Sequence, residues 1–133
     1  MAKSNSDLMR ENLAGFDRFD YEFVASGYAD DGVLHFVQRK PIQGRAEILA
    51  FFTRQFEPIT NTRIEIKNVV ESGNLVMVER IDHYEYKGIP ISCPVANAAE
   101  FGDGKIKVWR EYFDQQFAVK LVQKGMESRK QGG

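Results

Sequence analysis

Apolar residues recur with a helical period over the first part of the chain. They follow this spacing after Ser4 or Ser6, which are candidate N-caps, and again before Pro58, which ends a helical segment. A third, shorter segment breaks off at Asp31. The predicted helices cover residues 4–16, 21–31 and 44–58.

The period changes to two in the second half of the chain, and this alternation is typical of β-strands. Turn-forming clusters at Gly73, Gly88 and Gly102 separate the alternating segments. Pro94 interrupts one segment, which indicates an edge position or a bulge. We expect residues 126–133 to form a frayed tail. The predicted strands cover residues 33–38, 62–73, 75–86, 91–101 and 105–117.

Helices followed by a run of strands predict the α+β class. In this arrangement a curved sheet, mixed or antiparallel, wraps over the N-terminal helices and makes a cone with a cavity at its mouth. Ligand pockets are usually found in such concavities. A chain of 133 residues has the length of one domain, so we expect a single domain over residues 1–133.

The composition argues against several kinds of partner. With 18 basic and 19 acidic residues, the chain lacks the positive field that gathers phosphate backbones, so nucleic acid is not expected. No segment approaches the roughly 20 apolar residues of a membrane span, and the start has no apolar stretch of signal-peptide length. The single cysteine, Cys93, cannot form an internal disulfide, and there is no Cys/His cluster for zinc. We therefore expect a cytoplasmic protein without a metal.

Charged residues on inward strand faces are the candidate chemistry of the chain. Arg80 and Asp82 share one face of a predicted strand, because side chains alternate. Glu111 lies between Trp109 and Phe113 on one face of the last strand, so its carboxylate must be desolvated or paired. If both strands line the cavity, burial and the guanidinium separate the pKa values of the two acids. One acid can then donate a proton while the other accepts one, as the opening of a strained ether by water requires.

Two segments, ERID (79–82) and GDGKIKVWREYFD (102–114), resemble the limonene-1,2-epoxide hydrolase family. The resemblance implies the nuclear-transport-factor-2-like (NTF2-like) or SnoaL-like cone, a dimer, and no metal or organic cofactor. It also implies that Arg80 bridges two carboxylates, that Asp82 is the general acid, and that Glu111 stands where the family has its water-activating Asp. The implied reaction is one-step hydrolysis of a small lipophilic epoxide, terpenoid or cyclic, to a diol.

The chain departs from the family at two places. Glu111 is longer than Asp by one carbon–carbon bond, about 1.5 Å, which reduces the room for a water molecule. The Tyr and Asn that hold the nucleophilic water in the family correspond to Leu34 and Phe36, which cannot hydrogen-bond water. Another polar side chain would have to hold it. The candidates are Tyr84, Asn97 and His35.

Three functions remain open on the sequence. The first is the epoxide hydrolase. The second is an isomerase or cyclase that uses the same carboxylates to move a proton next to a carbonyl, because a pocket without the water-holding pair is drier. The third is a non-catalytic binder of an apolar small molecule. The residues expected in the pocket wall are Leu34, Phe36, Tyr84, Asn97, Trp109 and Phe113.

The outer faces of the predicted strands also carry apolar residues, including Met77, Ile81 and Tyr112. A sheet that is apolar on both faces needs cover on both, so we expect a homodimer. His35 and His83 fall on the outer face by strand alternation, which is more typical of surface or interface histidines than of a catalytic site.

Overall fold

The computed structural model of the chain describes residues 2–132, in which a six-stranded sheet packs against helices. Its helices are α1 (Asn5–Asp17), α2 (Tyr21–Ser26), α3 (Arg45–Gln55) and α4 (Gln115–Gly132). Its strands are β1 (Tyr28–Phe36), β2 (Ile42–Gln43), β3 (Ile59–Ser72), β4 (Leu75–Tyr86), β5 (Ile89–Gly102) and β6 (Lys105–Phe113). The predicted α+β class is confirmed. Within residues 2–132, no helix is long and apolar enough to cross a membrane.

The sheet is open and mixed. Its strand order is β2-β1-β6-β5-β4-β3, in which β1 and β6 run parallel and every other neighbouring pair runs antiparallel. The register shifts within three pairs, β1 with β6, β3 with β4, and β5 with β6. Such irregularities bend a sheet. They are consistent with a sheet that curves around the N-terminal helices.

Helix α1 shows how the helices are fixed against the concave face. Its N-cap is Ser4, whose hydroxyl accepts the N–H of Asp7, while the Asp7 carboxylate accepts the N–H of Ser4. This reciprocal pair is a capping box, which satisfies two backbone donors at the start of the helix. Met9 and Leu13 of α1 are buried in the same apolar cluster as Val76 of β4. Apolar burial of this kind supplies most of the stability of such a helix.

The second helix is shorter than predicted and the first strand is longer. Helix α2 ends at Ser26, and β1 begins at Tyr28. Tyr28 pairs with Ile106 of β6, and the Gly27 carbonyl accepts the Ile106 N–H at 2.8 Å. The helical spacing of the apolar residues is therefore overridden by pairing with a strand that is distant in sequence.

The C-terminal segment forms helix α4, so the predicted frayed tail is wrong for residues 126–132, and residue 133 lies outside the described part. The last strand ends at Phe113, and the Asp114 side chain accepts the N–H of Phe117 at the start of α4. One face of the helix packs on an apolar cluster of β5, which an isolated sequence pattern does not reveal. The packed residues of α4 are Ala118, Leu121, Val122 and Met126.

Pro94 lies in an interior strand and at no bulge, but it lies beyond the last pair of β5 with β6, so its position is locally an edge, one of the two alternatives expected from the sequence. Strand β5 lies between β4 and β6, and its pairing with β4 continues through Pro94 without a register shift. The pairing of β5 with β6 begins one residue later, at Val95 with Phe113. Because β6 ends before it reaches Pro94, the missing N–H of proline interrupts no bond between β5 and β6.

Candidate active site

A cavity of about 150 Å³ lies between helices α1 to α3 and the concave face of the sheet. Most of its wall is aromatic or aliphatic, and three charged side chains interrupt it, Arg80, Asp82 and Glu111. These are the three residues that the sequence pointed to as a cluster. The curvature of the sheet brings β4 and β6 to the same cavity although β5 separates them.

All five N–H groups of Arg80 have acceptors, although the residue is only 5% exposed. Nε and Nη2 donate to Asp82 Oδ1 and Oδ2 at 2.8 and 3.2 Å. Nη1 and Nη2 donate to Glu111 Oε1 and Oε2 at 2.9 and 2.8 Å, and Nη1 also donates to Asn97 Oδ1 at 2.5 Å. Burial lowers the pKa of Arg80, but the charges of Glu111 and Asp82 outweigh it and raise the pKa above its ordinary value. Arg80 is a permanent cation that joins two acids.

The Glu111 carboxylate is held in one orientation. Oε1 accepts from Arg80 and also from Nε1 of Trp109 at 2.6 Å. Among residues 2–132, Oε2 accepts from Arg80 alone. Charge-assisted bonds of this kind are short and directional, so they position the carboxylate while Oε2 keeps an acceptor position free. Phe36 pairs with Glu111 in the register of β1 with β6, so an aromatic ring occupies the neighbouring strand position.

Asp82 is more accessible than Glu111, with 21% of its side chain exposed. A carboxylate that the sequence analysis missed lies near it: Asp17, at the end of α1, accepts the N–H of Ile64 at 2.9 Å. Ile64 pairs with Asp82 across β3 and β4. Partial burial raises the pKa of Asp17, the Ile64 bond opposes this, and the charge of Asp82 adds to it. No strand periodicity could have identified Asp17, because it lies at the end of a helix.

Asn97 does not line the cavity, contrary to the prediction. It is fully buried, and its amide lies between Arg80, which donates to Oδ1, and Met9 of α1, whose sulfur is 3.7 Å from Nδ2. The packing of α1 on this part of the sheet fills the space in front of it. Asn97 therefore orients Arg80 and has no access to a ligand. The other residues expected in the wall do line the cavity: Leu34, Phe36, Tyr84, Trp109 and Phe113.

Two further wall residues lie near Asp82 and are neutral at pH 7. Burial, together with the nearby Cys93 and Asp82, raises the pKa of Tyr84 to about 12. Burial, together with the charge of Asp82, raises the pKa of Cys93 to about 11. Cys93 is 3% exposed, as expected for a small buried side chain. A thiol with a raised pKa is a poor nucleophile at neutral pH.

Neither histidine lines the cavity. His35 Nε2 hydrogen-bonds the Arg39 carbonyl at 3.0 Å. His83 lies between Ser92 and Glu65, its ring nitrogens 2.8 and 2.9 Å from their oxygens. His35 is thereby ruled out as the group that holds a water in the cavity. In residues 2–132, no cluster of three His, Cys, Asp or Glu side chains could hold a metal ion.

Tyr28 is a further residue of the cavity that the sequence pattern does not reveal, and it is 1% exposed. Its ring centroid is 6.4 Å from that of Trp109. Burial raises the pKa of Tyr28 well above its ordinary value, the charge of Glu111 adds to the shift, and Arg80 opposes it. The helical spacing of the apolar residues around Tyr28 predicted a helix there, so the sequence did not indicate that β1 begins at this residue.

Solved structures with this fold include proteins described as hydrolases and as cyclases. An epoxide hydrolase of M. tuberculosis, described as LEH-like, is 22% identical, with a TM-score of 0.81 over 97% of this chain and 96% of that one. A putative polyketide cyclase of Pseudomonas putida KT2440 is 18% identical, with a TM-score of 0.83 over 90% and 98%. TerC, co-crystallised with polyporic acid, is 20% identical, with a TM-score of 0.78 over 90% and 98%.

The fold is that of the NTF2-like proteins, in which an open curved sheet wraps over helices, and the predicted cone is confirmed. Within that class, the chain belongs to the SnoaL-like domain family, whose profile matches residues 9–109. A search of curated proteins finds no match. At these identities the solved structures establish the fold alone.

Proposed function

We propose that the protein is a cofactor-independent epoxide hydrolase that opens a small lipophilic epoxide, terpenoid or cyclic, to a diol. The observation that carries the proposal is the fork of Arg80, which holds Asp82 and Glu111 together on the wall of an apolar cavity. An acid and a base at one cavity wall can act in the same displacement reaction, the acid on the leaving oxygen and the base on the attacking water. The likeness to the LEH-like epoxide hydrolase supports the same choice.

The reaction needs one proton donor and one proton acceptor. Asp82 donates a proton to the epoxide oxygen as the carbon–oxygen bond breaks, and Glu111 takes a proton from the water that attacks carbon. Oδ2 of Asp82 is the oxygen suited to carry the proton, because its contact with Arg80 is the longer one, at 3.2 Å. A proton passes from Glu111 back to Asp82 through solvent to restore the starting state. Water and epoxide together give one diol.

The size and lining of the cavity define the substrate class. An apolar cavity of about 150 Å³ admits one six-membered ring. Aromatic walls favour an apolar ring over a polar one. The side chain of Asp82 is the more exposed of the two acids, so a larger substituent on the ring would extend past it towards solvent.

The test is turnover of an epoxide panel that contains cyclohexene oxide, limonene oxide and styrene oxide, with diol measured by chromatography and ¹⁸O-labelled water as the oxygen source. We expect Asp82→Asn and Glu111→Gln to lose at least about 100-fold in kcat, which is within the range for a positioned acid or base. Glu100→Gln is the matched control, because Glu100 is an exposed carboxylate that pairs with Arg110 on β6. Absence of diol from every substrate would refute the proposal.

A second reaction on the same site has a specific observation in its favour. Leu34 and Phe36 line the cavity where a water-holding pair would lie, and Phe36 adjoins Glu111 in the sheet. A dry site favours proton transfer next to a carbonyl, as in an isomerase or cyclase. Deuterium uptake from D₂O into 2-cyclohexenone, dependent on Glu111 and without diol formation from epoxides, would support this reaction instead. Binding of these ring compounds without either reaction would indicate a non-catalytic binder.

A further inference from the structure

The cavity contains a phenol that no part of the proposed mechanism uses. Tyr28 is 1% exposed, yet it lines the cavity close to Trp109 and Glu111. Its backbone carbonyl accepts two hydrogen bonds from Arg45, whereas its hydroxyl takes part in no hydrogen bond among the described residues. A buried hydroxyl without a partner costs free energy unless water or a ligand supplies one.

The hydroxyl of Tyr28 faces a space that another molecule can enter. Within residues 2–132, the one fully enclosed side-chain polar atom without a partner is Oδ1 of Asn12. The Tyr28 hydroxyl is therefore not sealed in the core, and the cavity that its side chain lines is where a partner can reach it.

Few side chains near Glu111 have a free N–H or O–H group that could hold a water molecule there. All five N–H groups of Arg80 are taken by Asp82, Glu111 and Asn97, and the indole N–H of Trp109 is taken by Glu111. The strand next to Glu111 presents Phe36, which has no donor. The phenol of Tyr84 lies on the Asp82 side of the cavity, two residues along the same face of β4.

We propose that Tyr28 donates a hydrogen bond to the nucleophilic water that Glu111 activates, an inference that rests on the proposed hydrolase function. The water would accept from the Tyr28 hydroxyl and donate to Oε2 of Glu111, which has one protein partner where Oε1 has two. This contact would supply the hydrogen bond to water that the apolar side chains of Leu34 and Phe36 cannot make. The raised pKa of Tyr28 keeps the phenol protonated throughout the neutral range, as a donor must be.

Tyr28→Phe tests the inference, because it removes the hydroxyl and keeps the ring that packs near Trp109. We expect kcat for the best epoxide of the panel to fall about 10- to 100-fold, with KM changed by less than about 3-fold, since the lost contact is to the water and not to the substrate. Tyr112→Phe is the control, because Tyr112 is an exposed phenol on the outer face of β6, away from the cavity, and its kcat should be unchanged.

A crystal structure of the wild-type protein supplies a readout that does not depend on turnover or on the folding of a variant. We expect an ordered water within about 3.2 Å of both the Tyr28 hydroxyl and a Glu111 oxygen. Wild-type kcat in Tyr28→Phe, or a wild-type crystal without that water, overturns the role of Tyr28. If Tyr28→Phe keeps full activity while Asp82→Asn loses it, the hydrolase proposal stands and the Tyr28 inference alone fails. If no epoxide is turned over, the hydrolase proposal fails and the crystal still decides whether Tyr28 holds a water.

Discussion

Arg80 is the residue on which the buried polar cluster depends. Its guanidinium contacts both carboxylates and a buried amide, so the charges of Asp82 and Glu111 are compensated at the wall of an apolar cavity. A buried ion network of this kind contributes little net stability compared with apolar packing, but it is costly to break, because one partner is then left uncompensated. A low net contribution of the cluster to stability is consistent with the proposed chemical role.

Replacement of Arg80 by Met should destabilise the fold strongly. Two carboxylates would lose their cation, and we expect a loss of about 3–5 kcal/mol in the free energy of unfolding, measured by urea titration at pH 7. The matched control is Arg110→Met, which breaks a more exposed pair with Glu100 and should cost less than about 1 kcal/mol. Equal losses for the two variants would mean that the Arg80 network is not effectively buried.

The sequence predicted the surroundings of some single residues correctly and those of others incorrectly. The period of two placed Arg80 and Asp82 on one strand face, and the structure agrees. The position of Glu111 between two aromatics indicated a desolvated or paired carboxylate, and it is both. Asn97 has the same alternation but no access to the cavity, because α1 packs over it. Alternation predicts the face of the sheet on which a side chain lies. The helix that packs over that side chain comes from a distant part of the sequence and is not predicted by the alternation.

Helix α4 is the element that the sequence analysis did not anticipate. Ten of its 18 residues are charged or polar, so its apolar stripe is weak as an isolated pattern. The apolar residues of the stripe nevertheless pack on a cluster of β5 that consists of Ile89, Ile91, Cys93 and Val95. Two residues that this cluster shares with the cavity wall, Cys93 and Val95, connect the docking of α4 to the shape of the site.

The two faces of α4 should respond differently to truncation. Leu121→Ala removes a side chain packed on the β5 cluster and should cost about 1–3 kcal/mol in the free energy of unfolding, less than for a fully enclosed leucine. Val119→Ala removes a side chain that is 41% exposed and should cost less than about 0.5 kcal/mol. Urea titrations of both variants measure the difference. Equal effects would mean that α4 does not dock on β5 in solution.

The whole molecule leaves an apolar area on the outer face of its sheet. Met77 and Tyr112 are 47% and 45% exposed, and Ala98 and Ala96 pair with them on β5, between the two strands. Ile81 continues the area along β4. We propose that a second copy of the chain covers this face, because Met77 and Tyr112 are large side chains left nearly half exposed on it, beside Glu79 and Arg110, whose opposite charges can pair across a two-fold interface.

A double variant tests this assembly. Light scattering after size exclusion at micromolar concentration should give twice the 15.2 kDa mass of the chain for the wild type. Met77→Glu with Tyr112→Glu should give the monomer mass, because two carboxylates would be buried at the interface. Phe117→Glu, an exposed position on α4, should leave the dimer intact. A monomeric wild type would refute the proposal.

The sequence by itself determined the fold class, the faces of the long strands and the identity of the three charged side chains that meet at the cavity. These features depend on the strand pleat and on burial, which act over a few residues. Only the tertiary structure decided that Tyr28 belongs to a strand, that Asn97 lies behind Arg80, that Asp17 lies near Asp82 and that the tail is a helix. Each of these depends on register or docking between distant segments, and such contacts are set by the packing of the whole chain.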